Sequence, residues 1–330
     1  MAVSRDSIDA PVSAEHRPTP RLVGDVGGTN ARFALLDEDD KPFASSTLST
    51  DDFPDLASAV KIYLAEHENT KIDVAAIAVA TPVTGDRVNL TNNPWSFSVE
   101  ETRRQLGISR LHVVNDFTAL ALSVPHLPDD ELQKVGGGEA VEQHAIGIVG
   151  AGTGLGVSGL IPCGSHWTAL QGEGGHVTMS LRTDREFAVY RKLHERFRHV
   201  SAERFLSGPG LRNIVESLQA IDGLEVQPYT PADITRLALE EGDPYCLEAM
   251  EMFASLLGNV ASNLVLTLGA EGGLFIGGGV VPRFGEWFAQ SAFRESFEDK
   301  GRMRTYVEKV PTFVIHSPYP ALVGAARLLV

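Results

Sequence analysis

Apolar and polar positions along this chain repeat one arrangement twice. An apolar run of strand length, Leu22-Val-Gly-Asp-Val26, leads into Gly27-Gly-Thr29, and a second run, Ala31-Arg-Phe-Ala-Leu-Leu36, leads out. Further along, Ala145-Ile-Gly-Ile-Val-Gly-Ala151 leads into Gly152-Thr-Gly154, and Leu155-Gly-Val-Ser-Gly-Leu-Ile161 leads out. Each reads as a β-hairpin with a glycine-threonine turn. Between and beyond them, apolar positions at Phe53, Leu56, Val60 and Leu64 follow a helical spacing, so a helix is expected over Phe53 to Glu68. Val74 to Ala80 is a continuous apolar run, suited to a strand buried on both faces. Ser98, with Glu101 three residues on, marks the start of a helix reaching Leu106. Leu111 to Val114 is a short strand running into Asn115-Asp116 and a helical segment that stops before Pro125. The charged, glycine-rich stretch Asp129 to Gly138 reads as an excursion between domains. Helical spacing returns at Asp184 to Phe197, Gly210 to Leu218, Pro231 to Glu241 and Pro244 to Leu268. Strands come next at Leu274 to Ile276 and Thr312 to Ile315, and a small-residue helix at Ala321 to Val330. Strands precede helices in both halves, so the class is α/β.

Composition narrows the picture. A length of 330 residues suggests roughly two domains. The net charge of −15, with no lysine or arginine run, argues against nucleic-acid or anionic-membrane binding, which depend on neutralising phosphates. A small anion such as ATP needs only a local positive pocket. Two cysteines, Cys163 and Cys246, are too few for a disulfide framework or zinc cluster and suit a reducing compartment. No stretch is expected to approach the ~20 apolar residues of a membrane span. Residues 1–20 carry charges and three prolines without an apolar core, so they read as a disordered tail and not a secretory signal.

Glycine lets a backbone come close to a bulky anion, and a tight turn aims several N–H groups at one point. Two such turns suit one polyphosphate held from two sides. The standard alternatives fail: there is no Gly-x-x-x-x-Gly-Lys-[Ser/Thr]. Gly154-Leu-Gly-Val-Ser-Gly159 has dinucleotide-binding spacing, but the residues after it, up to Pro162, read as a strand and not the required helix. Asp25 sits where a carboxylate would repel phosphate unless a cation such as Mg²⁺ stands between them; it also suits the capping of a tight turn. Asn115-Asp116 suits a helix N-cap, and equally a general base held ionised at a helix N-terminus. Gln171-Gly-Glu-Gly-Gly-His176 is either an ordinary polar turn or a set of groups, Glu173 and His176 among them, for a ligand rich in hydroxyls. Glu203 on its own reads as a solvated charge. Gly277-Gly278-Gly279 suits either a tight turn after a strand or a flat approach to an adenine ring. Asn92-Asn93-Pro94-Trp95 is a turn with a buried-looking aromatic that would rim a substrate pocket.

Together these residues resemble the bacterial glucokinases of the hexokinase–actin–heat-shock ATPase superfamily, from about Arg21 to Val330. Gly24, Asp25, Val26, Gly27, Gly28 and Thr29 are similar to that family's first phosphate motif. Gly152, Thr153 and Gly154, running on to Gly156, are similar to its second. Leu274 to Gly279 is similar to its adenosine motif, and Val323-Gly-Ala-Ala326 to its helical connector. The zinc-binding cysteine cluster of the related repressor–kinase group is absent.

The resemblance implies a two-domain actin-like ATPase (ribonuclease H-like) fold with a central inter-domain cleft. Its small α/β domain would span 21–125 plus 317–330 and its large one 126–316. It implies Asp116 as catalytic base, with Asn115, Asp116, Glu173, His176 and Glu203 on the sugar. ATP would be co-substrate, with Mg²⁺ near Asp25. The expected activity is ATP-dependent phosphorylation of glucose at its 6-hydroxyl, the entry step of glycolysis, in a cytoplasmic homodimer. Two rivals stay open: a kinase of fructose or mannose, and a non-catalytic sugar sensor on the same fold.

Overall fold

The structure, a computed structural model, describes residues 20–91 and 93–329. Residues 1–19 of the expected tail, Asn92 of the turn before Trp95 and Val330 at the end of the last helix lie outside the described residues. The chain divides into one compact unit ending at Val114, rejoined by Leu328 and Leu329, and a second unit, Asn115–Arg327. The segments 115–125 and 317–327, grouped by sequence with the small domain, fall in the second unit.

The first unit is built on strands β1 (Arg21–Val26), β2 (Asn30–Leu36), β3 (Pro42–Ser49) and β4 (Val74–Val79). A two-stranded ribbon, β5 (Arg87–Asn89) with β6 (Ser96–Ser98), comes next, and then β7 (Arg110–Asn115). The sheet order is β3-β2-β1-β4-β7, with β1 antiparallel to β2 and parallel to β4. β4 is buried throughout, as its unbroken apolar run requires. β3 lies at the edge and alternates exposed and half-buried residues. Helix α1 (Leu56–Glu66) starts at Asp55, whose carboxylate accepts the Ser58 N–H at 2.8 Å. Its buried face is Leu56, Ala59, Val60 and Tyr63. Helix α2 (Val99–Leu106) is capped as its sequence indicates: the Ser98 hydroxyl accepts the Glu101 N–H at 3.0 Å. It ends on Gly107, at φ +69°.

The second unit opens with helix α3 (Asp116–Ser123) and holds strands β8 (Leu132–Lys134), β9 (Ile146–Ala151), β10 (Leu155–Cys163), β11 (His166–Ala169), β12 (Leu274–Gly277) and β13 (Thr312–Ile315). Their order is β11-β10-β9-β12-β13-β8. The first five positions repeat the first sheet: an antiparallel meander of three, then strands added in parallel at β4 and at β12 and β13. The repeated hairpin of the sequence is thus the visible part of a repeated topology. Gly154 to Gly159 lies at the start of and within β10, as expected, and not on a helix. The excursion expected at Asp129 to Gly138 is corrected: its middle is β8, an edge strand paired antiparallel with β13. Leu132-Gln133-Lys134, with one apolar residue in three, is too short a pattern to show this in sequence.

Helices α4 (Asp184–Arg196), α5 (Gly208–Ile221), α6 (Pro231–Arg236) and α7 (Pro244–Leu268) form the bulk of the second core. The expected helix to Glu241 leaves α geometry after Arg236 and finishes in π turns. The expectation that no stretch approaches a membrane span is corrected: α7 has 25 residues and an 18-residue window of mean hydropathy 1.3, enough in length and composition to cross a membrane. Its apolar character is explained by packing, since 67% of that window is buried in this core. Short helices α8 (Trp287–Gln290), α9 (Phe293–Glu298) and α10 (Arg304–Val307) come after it. A Cβ on Gly258 of α7 would lie 2.2 Å from the Phe293 carbonyl oxygen, so the missing side chain lets α9 approach. The last helix, α11 (Pro320–Ala326), packs on α3 in the same way. A Cβ on Gly324 would lie 1.7 Å from the Ala119 carbonyl oxygen.

Candidate active site

In the first unit the β1–β2 turn is held open from behind. The Gly28 carbonyl accepts from the Thr50 hydroxyl at 3.0 Å and the Asn93 side-chain amide at 2.9 Å, while the Thr29 carbonyl accepts the Thr50 N–H at 3.0 Å. Gly27 N–H donates to the Asn30 carbonyl at 2.9 Å. The carbonyls of Gly28 and Thr29 are therefore spent on the protein, and Thr29 itself is exposed. Asn93 braces this turn, and Trp95 is core: it is 2% exposed, and its indole N–H donates to the Phe53 carbonyl at 2.9 Å.

Gly24 lies inside β1, where a Cβ would meet Ile77 and Phe33 at 2.7 and 2.8 Å. Val26 is fully buried. These two serve packing, and the polar face of the motif is Asp25 with Gly27, Gly28 and Thr29. Asp25 is the cross-strand partner of Arg32, with Oδ2 3.3 Å from the guanidinium Nη1. Burial pushes the Asp25 pKa above the ordinary carboxylate value, and the Arg32 charge pulls the other way.

In the second unit the β9–β10 hairpin gathers the remaining residues. Its turn is closed by Gly152 N–H to the Gly154 carbonyl at 2.8 Å, with Thr153 at the tip. The Gly152 carbonyl accepts the Gly208 N–H at 2.8 Å, which ties the turn to the start of α5. Glu203 is not the solvated charge its sequence context suggests: it is 25% exposed, and its Oε2 accepts the Leu155 N–H at 3.1 Å. A Cβ on Gly154 would lie 2.5 Å from that same oxygen. The Glu203 Oε1 faces His176 Nδ1 at 4.0 Å, and His176 Nε2 faces Glu173 Oε2 at 4.0 Å. Glu173 and His176 are each 59% exposed. Their glycine-rich segment makes one 3₁₀ turn, Gly174–His176, pressed onto β10. A Cβ on Gly175 would lie 2.0 Å from the Leu155 carbonyl oxygen, and one on Gly174 2.8 Å from Val157. An imidazole between two carboxylates, anchored to a glycine turn, offers donors and acceptors in alternation, which is what a polyhydroxylated ring requires.

Asn115 and Asp116 stand at the start of α3. The Asn115 Oδ1 accepts N–H groups of Phe117 at 2.9 Å and Thr118 at 3.3 Å, and its Nδ2 donates to Asp116 Oδ1 at 3.0 Å. Asn115 is thus the N-cap, and Asp116 is the first residue of the helix. Helix α3 is seated by glycines. A Cβ on Gly277 would lie 2.5 Å from Leu120, and those on Gly150 and Gly156 would strike the Phe117 ring. Gly278, at φ +79°, would meet the Ala151 carbonyl oxygen at 2.3 Å, which places the Gly277–Gly279 turn beside the end of β9 and its own glycine turn. Of Gly277, Gly278 and Gly279, Gly279 alone has open space around it.

Two contributors escaped sequence reasoning. Thr50 braces the first turn from a distant segment and carries no local signal, while Asn93, read in sequence as part of a pocket-rimming turn, donates to the Gly28 carbonyl and the Thr50 hydroxyl. Phe117 was legible indirectly, because glycines inside a strand mark a close approach.

The glucokinase family model matches residues 22–330. A glucokinase of Chromobacterium violaceum is 49% identical over 310 residues, covering 94% of this chain and 89% of its own. The crystal structure of a glucokinase from an Antarctic psychrotroph is 35% identical, with a TM-score of 0.85, covering 94% of this chain and 98% of that one. A glucokinase of the ROK family from Streptomyces griseus, solved with glucose and AMPPNP, shares the fold at 18% identity and a TM-score of 0.63, covering 94% and 99%. With a family match across nearly its whole length and a relative this similar, the chain belongs to the glucokinase family.

Proposed function

We propose that the chain is a glucokinase that transfers the γ-phosphoryl group of ATP to the 6-hydroxyl of D-glucose, giving glucose 6-phosphate and ADP. The observation that carries this reading is the arrangement about His176. Glu173 and Glu203 flank it at 4.0 Å, and Glu203 also holds the Leu155 amide beside the second glycine turn. Sugar-binding groups and a phosphate-binding turn thereby share one rigid scaffold, as phosphoryl transfer by positioning demands.

In this reading Asn115, Glu173, His176 and Glu203 hold the sugar hydroxyls, and Asp116 takes the proton as the 6-oxygen attacks the γ-phosphorus. The β,γ-bridging oxygen leaves with ADP. Gly27 to Thr29 and Gly152 to Gly154 cradle the phosphates, and the turn at Gly277 to Gly279 lies by the adenosine. The fold in this reading is that of the actin-like ATPases, and cover over the bound sugar excludes water, the competing nucleophile.

Among the described residues no group of three acidic, histidine or cysteine side chains has the arrangement to hold a metal ion. Asp25 fits Mg²⁺ that arrives with the nucleotide, because such an ion keeps its waters and needs few carboxylates. The ion would shield phosphate charge there, and its approach would offset the cost of ionising a buried carboxylate. We also assign the protein to the cytoplasm and to the first step of glycolysis, with free Cys163 and Cys246 in accord with a reducing compartment. The homodimer rests on the family resemblance alone.

The test is ADP release with glucose, fructose, mannose or no sugar, together with assay of the phosphorylated product. The reading requires glucose-dependent ADP with an equal amount of glucose 6-phosphate. Preference for another hexose would reassign the substrate, and glucose binding without ADP would make the protein a sensor.

A further inference from the structure

Helix α3 is only eight residues long and begins at Asp116, so any tilt or slide of the helix moves that carboxylate directly. Its second residue, Phe117, is attached to the second hairpin by its ring and to Asp116 by its amide. The three atoms nearest to a Cβ built on Gly156 all belong to the Phe117 ring, at 2.1, 2.3 and 2.4 Å. A Cβ on Gly150 would lie 2.8 Å from the Cζ of the same ring. The ring therefore fills the space that a side chain on Gly156 would take, and it also lies against Gly150, whose Cβ would meet the Gly277 carbonyl first, at 2.5 Å. Gly150 and Gly156 are register partners in β9 and β10, the strands that carry the Gly152–Gly154 turn. At its other end, the Phe117 N–H donates to Asp116 Oδ1 at 2.8 Å and to Asn115 Oδ1 at 2.9 Å.

We propose that Phe117 is a positioning residue for phosphoryl transfer: its ring, set into the slot at Gly150 and Gly156, fixes the Asp116 carboxylate relative to the Gly152–Gly154 turn. This rests on the reading of Asp116 as the base. The slot explains a pairing that sequence alone leaves unrelated, an aromatic residue directly after the Asn-Asp pair and two glycines on facing strands. Because the helix is short, its hydrogen bonds alone do little to fix its tilt. A rigid side chain with two torsions supplies that constraint at small entropic cost.

The experiment compares wild type, Asp116→Asn, Phe117→Leu, Phe117→Met, Gly156→Ala and the double variant Gly156→Ala/Phe117→Leu. For each, kcat is measured per glucose-binding site, with glucose and AMPPNP affinities from calorimetry. A misplacement near 1 Å costs on the order of 10²-fold in rate, so Phe117→Leu and Phe117→Met are expected to lose about 10- to 100-fold in kcat. Their sugar and nucleotide affinities should stay near wild type, the split that marks loss of a transition-state arrangement and not of fold. Gly156→Ala should be slower still, and the double variant faster than Gly156→Ala alone, because leucine frees the space the new methyl needs. Wild-type kcat in both Phe117 variants, or a double variant no faster than Gly156→Ala, overturns the proposal. So does a loss of affinity that matches the loss of rate. Failure of the reading beneath it is separately visible, as a wild type without glucose-dependent ADP or an Asp116→Asn that turns over normally.

Discussion

Gly324 is the position where the smallest change should have the largest effect. It lies in α11 against the backbone of α3, and the nearest atom to an added Cβ is the Ala119 carbonyl oxygen at 1.7 Å. The next two atoms, at 2.5 and 3.1 Å, are also Ala119 backbone, so no flexible side chain can swing away. A carbon and a carbonyl oxygen rest at about 3.3 Å, so Gly324→Ala requires the helices to part by roughly 1.6 Å. Overpacking of this kind costs about 1–3 kcal/mol, with backbone contact at the upper end. For a unit of this size that is a fall of roughly 2–12 °C in melting temperature. Alanine's better helix propensity returns less than about 1 kcal/mol. The functional effect should be larger than the thermal one if α3 carries the proposed base, Asp116, because a displacement above 1 Å costs on the order of 10²-fold in rate. The assay pairs thermal melting with kcat for glucose-dependent ADP release. Gly137→Ala is the control, since nothing lies within 4 Å of its Cβ. A Gly324→Ala protein with wild-type melting temperature and turnover would refute the argument that α11 sets the seat of α3.

Glu173→Gln removes the charge that faces His176 Nε2 at 4.0 Å. Loss of a charged hydrogen bond should raise the glucose dissociation constant about 10-fold and leave AMPPNP binding alone, which calorimetry with each ligand checks; the opposite pattern would move Glu173 to the nucleotide. Asp25 has a pKa raised by burial, so the folded protein holds that proton more tightly than the unfolded chain. Its contribution to stability is present at low pH and lost as pH rises through the raised value. Asp25→Asn should therefore melt above wild type near neutral pH in the absence of nucleotide, and the gap should narrow in mild acid. An unchanged gap across pH would show that the pairing with Arg32, and not burial, governs this carboxylate.

What the sequence shows and what it hides have separate physical causes. The β1–β2 and β9–β10 hairpins are legible because a strand leading into glycine and threonine and out again is a local pattern. The caps at Ser98 and Asn115 are equally local, each spanning three residues at most. β3 is invisible because an edge strand such as Pro-Phe-Ala-Ser-Ser-Thr-Leu-Ser buries too little to need apolar alternation. β8 is hidden for a different reason: three residues are too few for any period to show. At the site, Glu173 and His176 stand out because glycines surround them, whereas Glu203 gains its meaning only from Leu155, 48 residues away.

The repeated topology also explains why the two glycine turns are not equivalent. Both sheets place a hairpin before a parallel strand, so each presents its turn at a strand end. The first turn is braced by neutral groups, Thr50 and Asn93, acting on carbonyls, which leaves Asp25 and Arg32 as the charged pair at its base. The second is braced by a carboxylate, Glu203, acting on an N–H, and that carboxylate reaches on to His176. A neutral brace only holds its turn. A charged brace whose second oxygen faces a polar cluster also feels whatever that cluster binds, so on the proposed reading sugar and phosphate sites meet at the Glu203 carboxylate. Removing Glu203 should consequently weaken binding of both glucose and AMPPNP in calorimetry, unlike Glu173→Gln, because Glu203 alone of the two carboxylates also holds the Leu155 amide.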